Sequence, residues 1–229
     1  MPDLRNASFK PTPTWYEDAD TYWKAVPSSI GGMLGGLDQV HAPDIRDSRS
    51  FLAKLQSSPT LRLSTRYACD CGAGIGRVTK NLLLPLFDSV DLVEQNPDFL
   101  REARSSYLKQ DTQRVPDMFA AGLQSFTPPL SRYDVIWCQW VLSHLTDDDM
   151  LAFLGRCRQG LADGGIVCVK ENVAMEGYII DSDDSSVTRS PVIFERLFAS
   201  AGYKVIDKQL QTDFPHGLFE VCMWAIVPT

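Results

Sequence analysis

The chain has 229 residues, 44% hydrophobic and 22% charged, with a formal net charge of −7 at pH 7. That length and balance suit one soluble globular domain, and the acidic surplus argues against a general nucleic-acid binder, which needs a basic footprint, so no direct nucleic-acid binding is expected. A cationic partner fits the charge better.

No apolar run approaches the ~20 residues of a membrane span. Met1-Pro2-Asp3-Leu4-Arg5 also lacks a basic region followed by an apolar one, so the chain is expected in the cytoplasm, with the nucleus as a second compartment and no membrane association. Six cysteines, at 69, 71, 138, 157, 168 and 222, fall mostly in apolar, strand-like runs. Only Cys69 and Cys71 are closely spaced and no zinc or redox partners accompany them, so they read as reduced packing residues and no metal is expected.

In chain order, Trp15, Tyr16, Ala19, Tyr22, Trp23 and Val26 recur at three- and four-residue steps and predict an amphipathic helix over 14–25. A second helix is predicted over 44–56, with Asp44 as its cap. Between them, Ile30-Gly31-Gly32-Met33-Leu34-Gly35-Gly36-Leu37 brackets two apolar residues with glycine pairs, so it is either a linker or a mobile cover.

From residue 65 strand and helix alternate. Strands are expected at 66–71, 89–94, 117–121, 133–140 and 165–171, and helices at 76–86, 97–108, 147–161 and 190–201, with Thr146 capping the third of these. Two closing strands, at 203–211 and 217–227, are joined by a short turn at Asp213–Gly217 and should pair antiparallel. The alternation implies a parallel sheet wound on both faces, and the closing pair makes it seven-stranded. Residues 1–60 form an N-terminal helical extension and lid, and residues 61–229 the core of the same domain.

Tyr67-Ala68-Cys69-Asp70-Cys71 reads as a buried strand and runs into Gly72-Ala73-Gly74-Ile75-Gly76-Arg77, three glycines at alternate positions before a helix. Gly72 and Gly74 let the backbone turn sharply and approach a ligand, while Gly76 lets the next helix pack close. The helix N-terminus offers free N–H groups to an anion. The G-x-G-x-G spacing differs from the dinucleotide fingerprint and resembles motif I of the class I S-adenosylmethionine-dependent methyltransferases, which implies their Rossmann-like α/β fold.

Ligands in open α/β sheets sit at the carboxyl ends of strands. Glu94 ends the second strand, where a carboxylate can accept both ribose hydroxyls; the plain alternative is a surface acid. Asp70 suits bracing the glycine loop. Arg77 is placed to grip the methionine carboxylate, or is a solvated helix residue.

Beyond that loop, Tyr133-Asp134-Val135-Ile136-Trp137-Cys138-Gln139-Trp140, then His144-Leu145-Thr146, Lys170-Glu171-Asn172 and Asp184-Ser185-Ser186-Val187-Thr188-Arg189 resemble the protein N-terminal α-amine methyltransferases that modify Xaa-Pro-Lys termini. Tyr22-Trp23-Lys24 and Met33-Leu34-Gly35-Gly36 extend the resemblance from about residue 15 to the C-terminus. It implies S-adenosyl-L-methionine as cofactor, S-adenosyl-L-homocysteine as product, and basic protein or peptide N-termini as partners, ribosomal proteins among them. Gly72, Gly74, Arg77, Glu94, Leu123, Gln124 and Gln139 fall on its cofactor positions; Glu94 stands where some members have Asp. Trp23, Leu34, Trp140, Asn172, Asp181 and Ser186 fall on substrate positions, and Asp184 and His144 on catalytic ones. Read without the family, Leu123 and Trp140 are core, His144 is structural, and Asp181-Ser182-Asp183-Asp184 is a solvated loop.

An attacking amine must be neutral and aligned, and an α-amine has a pKa near 7.7–8.0 against about 10.4 for lysine, so freeing a lysine costs ~3–4 kcal/mol more. A modest base such as Asp184 or His144 suffices for an α-amine. The expected activity is methylation of the free α-amine of Xaa-Pro-Lys/Arg N-termini. The alternatives are a small-molecule amine methyltransferase and a cofactor-binding protein without catalysis.

Overall fold

The computed structural model describes residues 9–229. The reading of Met1–Arg5 lies outside them. Helix α1 spans Trp15–Ala25, a single turn α2 spans Ile30–Met33, and α3 spans His41–Gln56. In α1, Trp15 and Ala19 are buried, whereas Tyr22 is exposed and meets Trp23 edge-on. The expectation for Asp44 needs correction. Helix α3 begins at His41 with no side-chain cap, and Asp44 is fully buried, drawn inward by cations across the fold.

The alternating region follows as strand β1 (Tyr67–Cys71), helical residues 77–83, β2 (Ser89–Glu94) and α4 (Pro97–Glu102). Both helices widen to i→i+5 bonding, with Leu84 N donating to Thr79 O at 2.8 Å and Leu108 N to Ala103 O at 2.7 Å. Next come β3 (Met118–Ala120), β4 (Tyr133–Gln139), α5 (Asp147–Gly160) and β5 (Leu161–Val173). Thr146 caps α5 as expected: its Oγ1 accepts from Asp149 N at 3.0 Å, and three aspartates in the first turn oppose the helix dipole.

The chain ends with β6 (Tyr178–Asp181), β7 (Ser186–Arg189), α6 (Pro191–Ser200), β8 (Tyr203–Leu210) and β9 (Glu220–Pro228). Strands β3, β2, β1, β4 and β5 lie side by side and parallel; β9 runs antiparallel against β5, and β8 antiparallel against β9. These seven are the expected parallel strands and antiparallel closing pair. Among the described residues the sheet nevertheless has nine strands, because the hairpin β6–β7 joins the end of β5 through Val173 and Arg189. The closing strands are shorter than expected, leaving a loop over 211–219.

Side chains on neighbouring positions of a strand point to opposite faces. Cys69, Cys71, Ile136 and Cys138 therefore pack on one side with α5 and α6, while Ala68, Val135 and Trp137 pack on the other with Phe51 and Leu52 of α3. All six cysteines are free and buried, and burial pushes the Cys138 thiol up to about 11. The register sets Cys71 beside both Val93 and Cys138, and Gln139 beside Lys170, so the carboxyl ends of four strands share one edge.

The Thr146 cap is directly testable. Thr146→Ala should lower stability by about 1 kcal/mol and the melting temperature by roughly 2–4 °C in a calorimetric scan; an unchanged melt would contradict the capping role.

Candidate functional site

A cavity of about 350 Å³ opens along that strand edge. Its floor is the turn after β1, where Gly72 N and Ala73 N donate to Val93 O at 2.8 and 3.0 Å. Gly72 (φ +72°) would put a Cβ 2.6 Å from the Val141 side chain, and Gly74 (φ +55°) would put one 2.3 Å from Met33 Sδ. Only glycine keeps this cradle open. Behind it, Thr79 Oγ1 donates to Asp70 Oδ2 at 2.6 Å, so Asp70 braces the helix that follows the loop.

Glu94 closes one wall. Its Oε2 accepts from Gly74 N at 3.0 Å and its Oε1 from Asn96 N at 2.8 Å, which leaves a further lone pair on each oxygen. Burial raises its pKa. A bidentate acceptor beside a bare backbone turn fits a vicinal diol above a sharp loop, so these residues fit an adenosyl cofactor. Arg77, Leu123, Gln124 and Gln139 line the same space.

Trp23, Leu34, Trp140, Asn172, Ser186, His144 and Asp184 line it as well. Of the expected site residues only Asp181 stands apart: it is exposed, pairs in register with Ser186, and accepts from Asp183 N at 2.9 Å through Oδ1. Trp140 leaves β4 in a left-handed conformation (φ 51°), which sets its ring over Arg77, 5.7 Å from the guanidinium carbon. Among the described residues its buried Nε1 has no hydrogen-bond partner, and neither has Oδ1 of Asp184. Two orphaned polar atoms of opposite character in one cavity suit a ligand carrying both a donor and an acceptor.

His144 sits in the turn Leu142–His144. Nδ1 lies 3.1 Å from Ser185 O and Nε2 accepts from Trp23 Nε1 at 3.2 Å, an arrangement that places the proton on Nδ1. Burial lowers the His144 pKa, with Asp184 and the Ser185 carbonyl opposing that shift. The ring is therefore neutral, with its free lone pair covered by the Trp23 indole.

Sequence patterning left several site residues without a role. Glu171 is buried within the cavity wall, and its Oε1 accepts from Val141 N at 2.8 Å and Leu142 N at 2.7 Å. Arg189 grips the same turn from its other side, donating to Leu142 O at 3.1 Å and Leu145 O at 2.6 Å and pairing with Asp147 at 2.8 Å. Trp15 Nε1 donates to His144 O at 2.7 Å. Phe214, Leu218 and Phe219 from the 211–219 loop complete the mouth; their apolar character inside a Pro/Gly turn was the available signal.

Burial lifts Glu171 from its ordinary 4.5 to about 7, against the backbone N–H groups and Arg189. The folded protein thus holds a proton that the unfolded chain releases above about pH 4.5, so this stabilisation is full below that pH and fades as pH rises through about 7. The span is about 3 kcal/mol. Relative to Glu171→Gln, the wild type should lose that much stability between about pH 4.5 and 7.5 in urea titrations; a gap independent of pH would contradict it.

Known proteins resemble this chain along nearly its whole length. A family model described as AdoMet dependent proline di-methyltransferase matches residues 12–227. The N-terminal Xaa-Pro-Lys N-methyltransferase 1 of Danio rerio is 48% identical over 208 residues, covering 91% of this chain and 93% of that one. Its Homo sapiens namesake is 44% identical over 212 residues, covering 93% and 95%. A solved SAM-dependent methyltransferase from Leishmania major superposes with a TM-score of 0.86 at 37% identity, covering 99% of this chain and 87% of that one. With that match running from α1 into β9, the protein belongs to the family of AdoMet dependent proline di-methyltransferases.

Proposed function

We propose that the protein transfers methyl groups from S-adenosyl-L-methionine to the free α-amine of protein N-termini beginning Xaa-Pro-Lys or Xaa-Pro-Arg. The observation that carries this reading is the unpartnered Asp184 carboxylate oxygen in one cavity with neutral His144 and the glycine cradle. The relatives named as Xaa-Pro-Lys methyltransferases support it. When bound, S-adenosylmethionine supplies an electrophilic methyl group and leaves as S-adenosylhomocysteine.

Gly72, Gly74, Glu94, Arg77, Leu123, Gln124 and Gln139 hold the cofactor: Glu94 the ribose hydroxyls, Arg77 the methionine carboxylate, Leu123 and Gln124 the adenine. Asp184 accepts the incoming ammonium group. His144 receives its proton at Nε2 once the Trp23 indole turns away, and the α-amine, with a pKa near 7.7–8.0, gives that proton up far more readily than lysine. Desolvation by the Trp23 and Leu34 wall keeps the freed amine neutral.

Proline at the second position is rigid and lacks an N–H, so Trp140 selects it by stacking while Asn172 holds its carbonyl. Asp181 and Ser186, paired across the hairpin, receive the cationic third side chain. Ile30–Leu37 acts as a lid. Ribosomal proteins with such termini are candidate substrates, met in the cytoplasm or nucleus; among the described residues no helix is long and apolar enough to cross a membrane.

A hexapeptide beginning Ser-Pro-Lys should gain methyl groups by mass spectrometry, while its N-acetylated form and simple amines should not. Equal methylation of the acetylated peptide would sink the α-amine assignment. Asp184→Asn should lower kcat on the order of 10²- to 10⁴-fold with cofactor affinity nearly unchanged; undiminished turnover would contradict its role.

A further inference from the structure

Two of the cavity residues on the cofactor side, Arg77 and Gln139, sit on different elements and converge on one carboxylate outside the cavity. Asp44 Oδ2 accepts from Arg77 Nη1 at 2.8 Å, and its Oδ1 accepts from Gln139 Nε2 at 2.7 Å. Lys170 Nζ pairs with the same Oδ1 at 2.5 Å and is fixed by Ser48 Oγ at 2.9 Å and Gln211 Oε1 at 2.6 Å. Asp44 and Lys170 are wholly buried, and Arg77 is 4% exposed. Among the described residues, the Arg77 side chain makes every hydrogen bond through Nη1, including one of 3.2 Å with His41 Nδ1. Its Nε and Nη2 are left without a protein partner in a side chain that lines the cavity.

We infer that Asp44 is a positioning residue through which the helices preceding β1 set affinity for the adenosyl cofactor. It fixes the guanidinium plane of Arg77 and the carboxamide of Gln139 before ligand arrives, so neither rotamer has to be ordered on binding. Gln139 is locked at both ends, since its Oε1 accepts from Trp137 Nε1 at 3.0 Å. Helix α3, which carries Asp44 and His41, follows the chain from α2, whose Met33 lies against Gly74. Cofactor binding and the seating of these helices are therefore one equilibrium. The inference rests on the reading that Arg77 and Gln139 meet the cofactor.

Removing Asp44 alone would strand Lys170 as a buried unpaired charge, so the informative pair is Lys170→Met and the double variant Asp44→Asn/Lys170→Met. Lys170→Met keeps the Asp44–Arg77 pair and should bind S-adenosylhomocysteine within about threefold of wild type by calorimetry. The double variant should bind it on the order of 10- to 100-fold more weakly than Lys170→Met, the worth of a hydrogen bond to a charged group. Its kcat at saturating cofactor should stay within about threefold, because only positioning is lost. Equal affinity of the two variants, or losses that merely track melting temperature, would overturn the inference.

Arg77→Met separates the two layers. Wild-type affinity in Arg77→Met overturns the Arg77 reading and the inference with it; weak binding there beside normal binding in the double variant overturns the inference alone. In the unaltered protein, S-adenosylhomocysteine should slow amide hydrogen exchange over residues 41–48. Exchange indifferent to the ligand contradicts the coupling whether or not any variant folds.

Discussion

The buried contact of Asp44 with Arg77 and Lys170 joins helix α3 to the strand ends behind the glycine loop. Burial alone would raise the Asp44 pKa, and the two cations more than offset it, holding the carboxyl below its usual range. Lys170 experiences the reverse: burial lowers its pKa while Asp44 raises it. Lys170 is not tolerable in the interior without Asp44, and stranding such a buried charge costs about 3–5 kcal/mol, whereas Asp44 keeps Arg77 when Lys170 is removed. Trp140 is tied to the same strand, because its backbone N–H donates to Lys170 O at 3.0 Å. The ionic cluster thus holds Arg77 and Gln139, and the backbone bond to the same residue of β5 holds the base of the aromatic wall.

The other half of the cavity is held by a different device. Residues 141–145 have no regular structure beyond one turn, yet Glu171 takes their N–H groups, Arg189 their carbonyls, and Trp15 the carbonyl of His144. His144 is therefore aimed by its backbone as much as by its ring contacts. Left-handed conformations at Trp140 and Ser185, of a kind that costs non-glycine residues about 1–2 kcal/mol, flank this arrangement. Local strain persists there because the surrounding hydrogen bonds over-determine the turn.

The strand-and-helix order was legible because β1, β2 and β4 are short apolar runs buried on both faces, and because Thr146 announces α5 with a side-chain acceptor. The hairpin β6–β7 was not. Tyr178–Asp181 is largely exposed and runs into Asp181-Ser182-Asp183-Asp184, so it carries neither a buried run nor clean alternation. Asp44 misled for a related reason: an aspartate near a helix start looks alike whether it caps that helix or answers a lysine 126 positions away. The glycine loop and Glu94 were readable from strand ends alone, whereas Gln139 came only with the family resemblance. His144, Asp184 and Trp140 needed the family resemblance, since a lone histidine, an acidic loop and a buried tryptophan each have a commoner plain meaning. Glu171 stayed without a role because its partners are backbone amides, which no side-chain pattern encodes.

In the proposed function, one cavity joins a cofactor cradle to a base suited to an α-amine and to nothing less acidic. Tandem mass spectrometry of a methylated Ser-Pro-Lys peptide, which offers an α-amine and a lysine ε-amine together, tests it most directly. Every added methyl is expected on the nitrogen of the first residue. Methyl groups on the lysine side chain, alone or alongside, would contradict it.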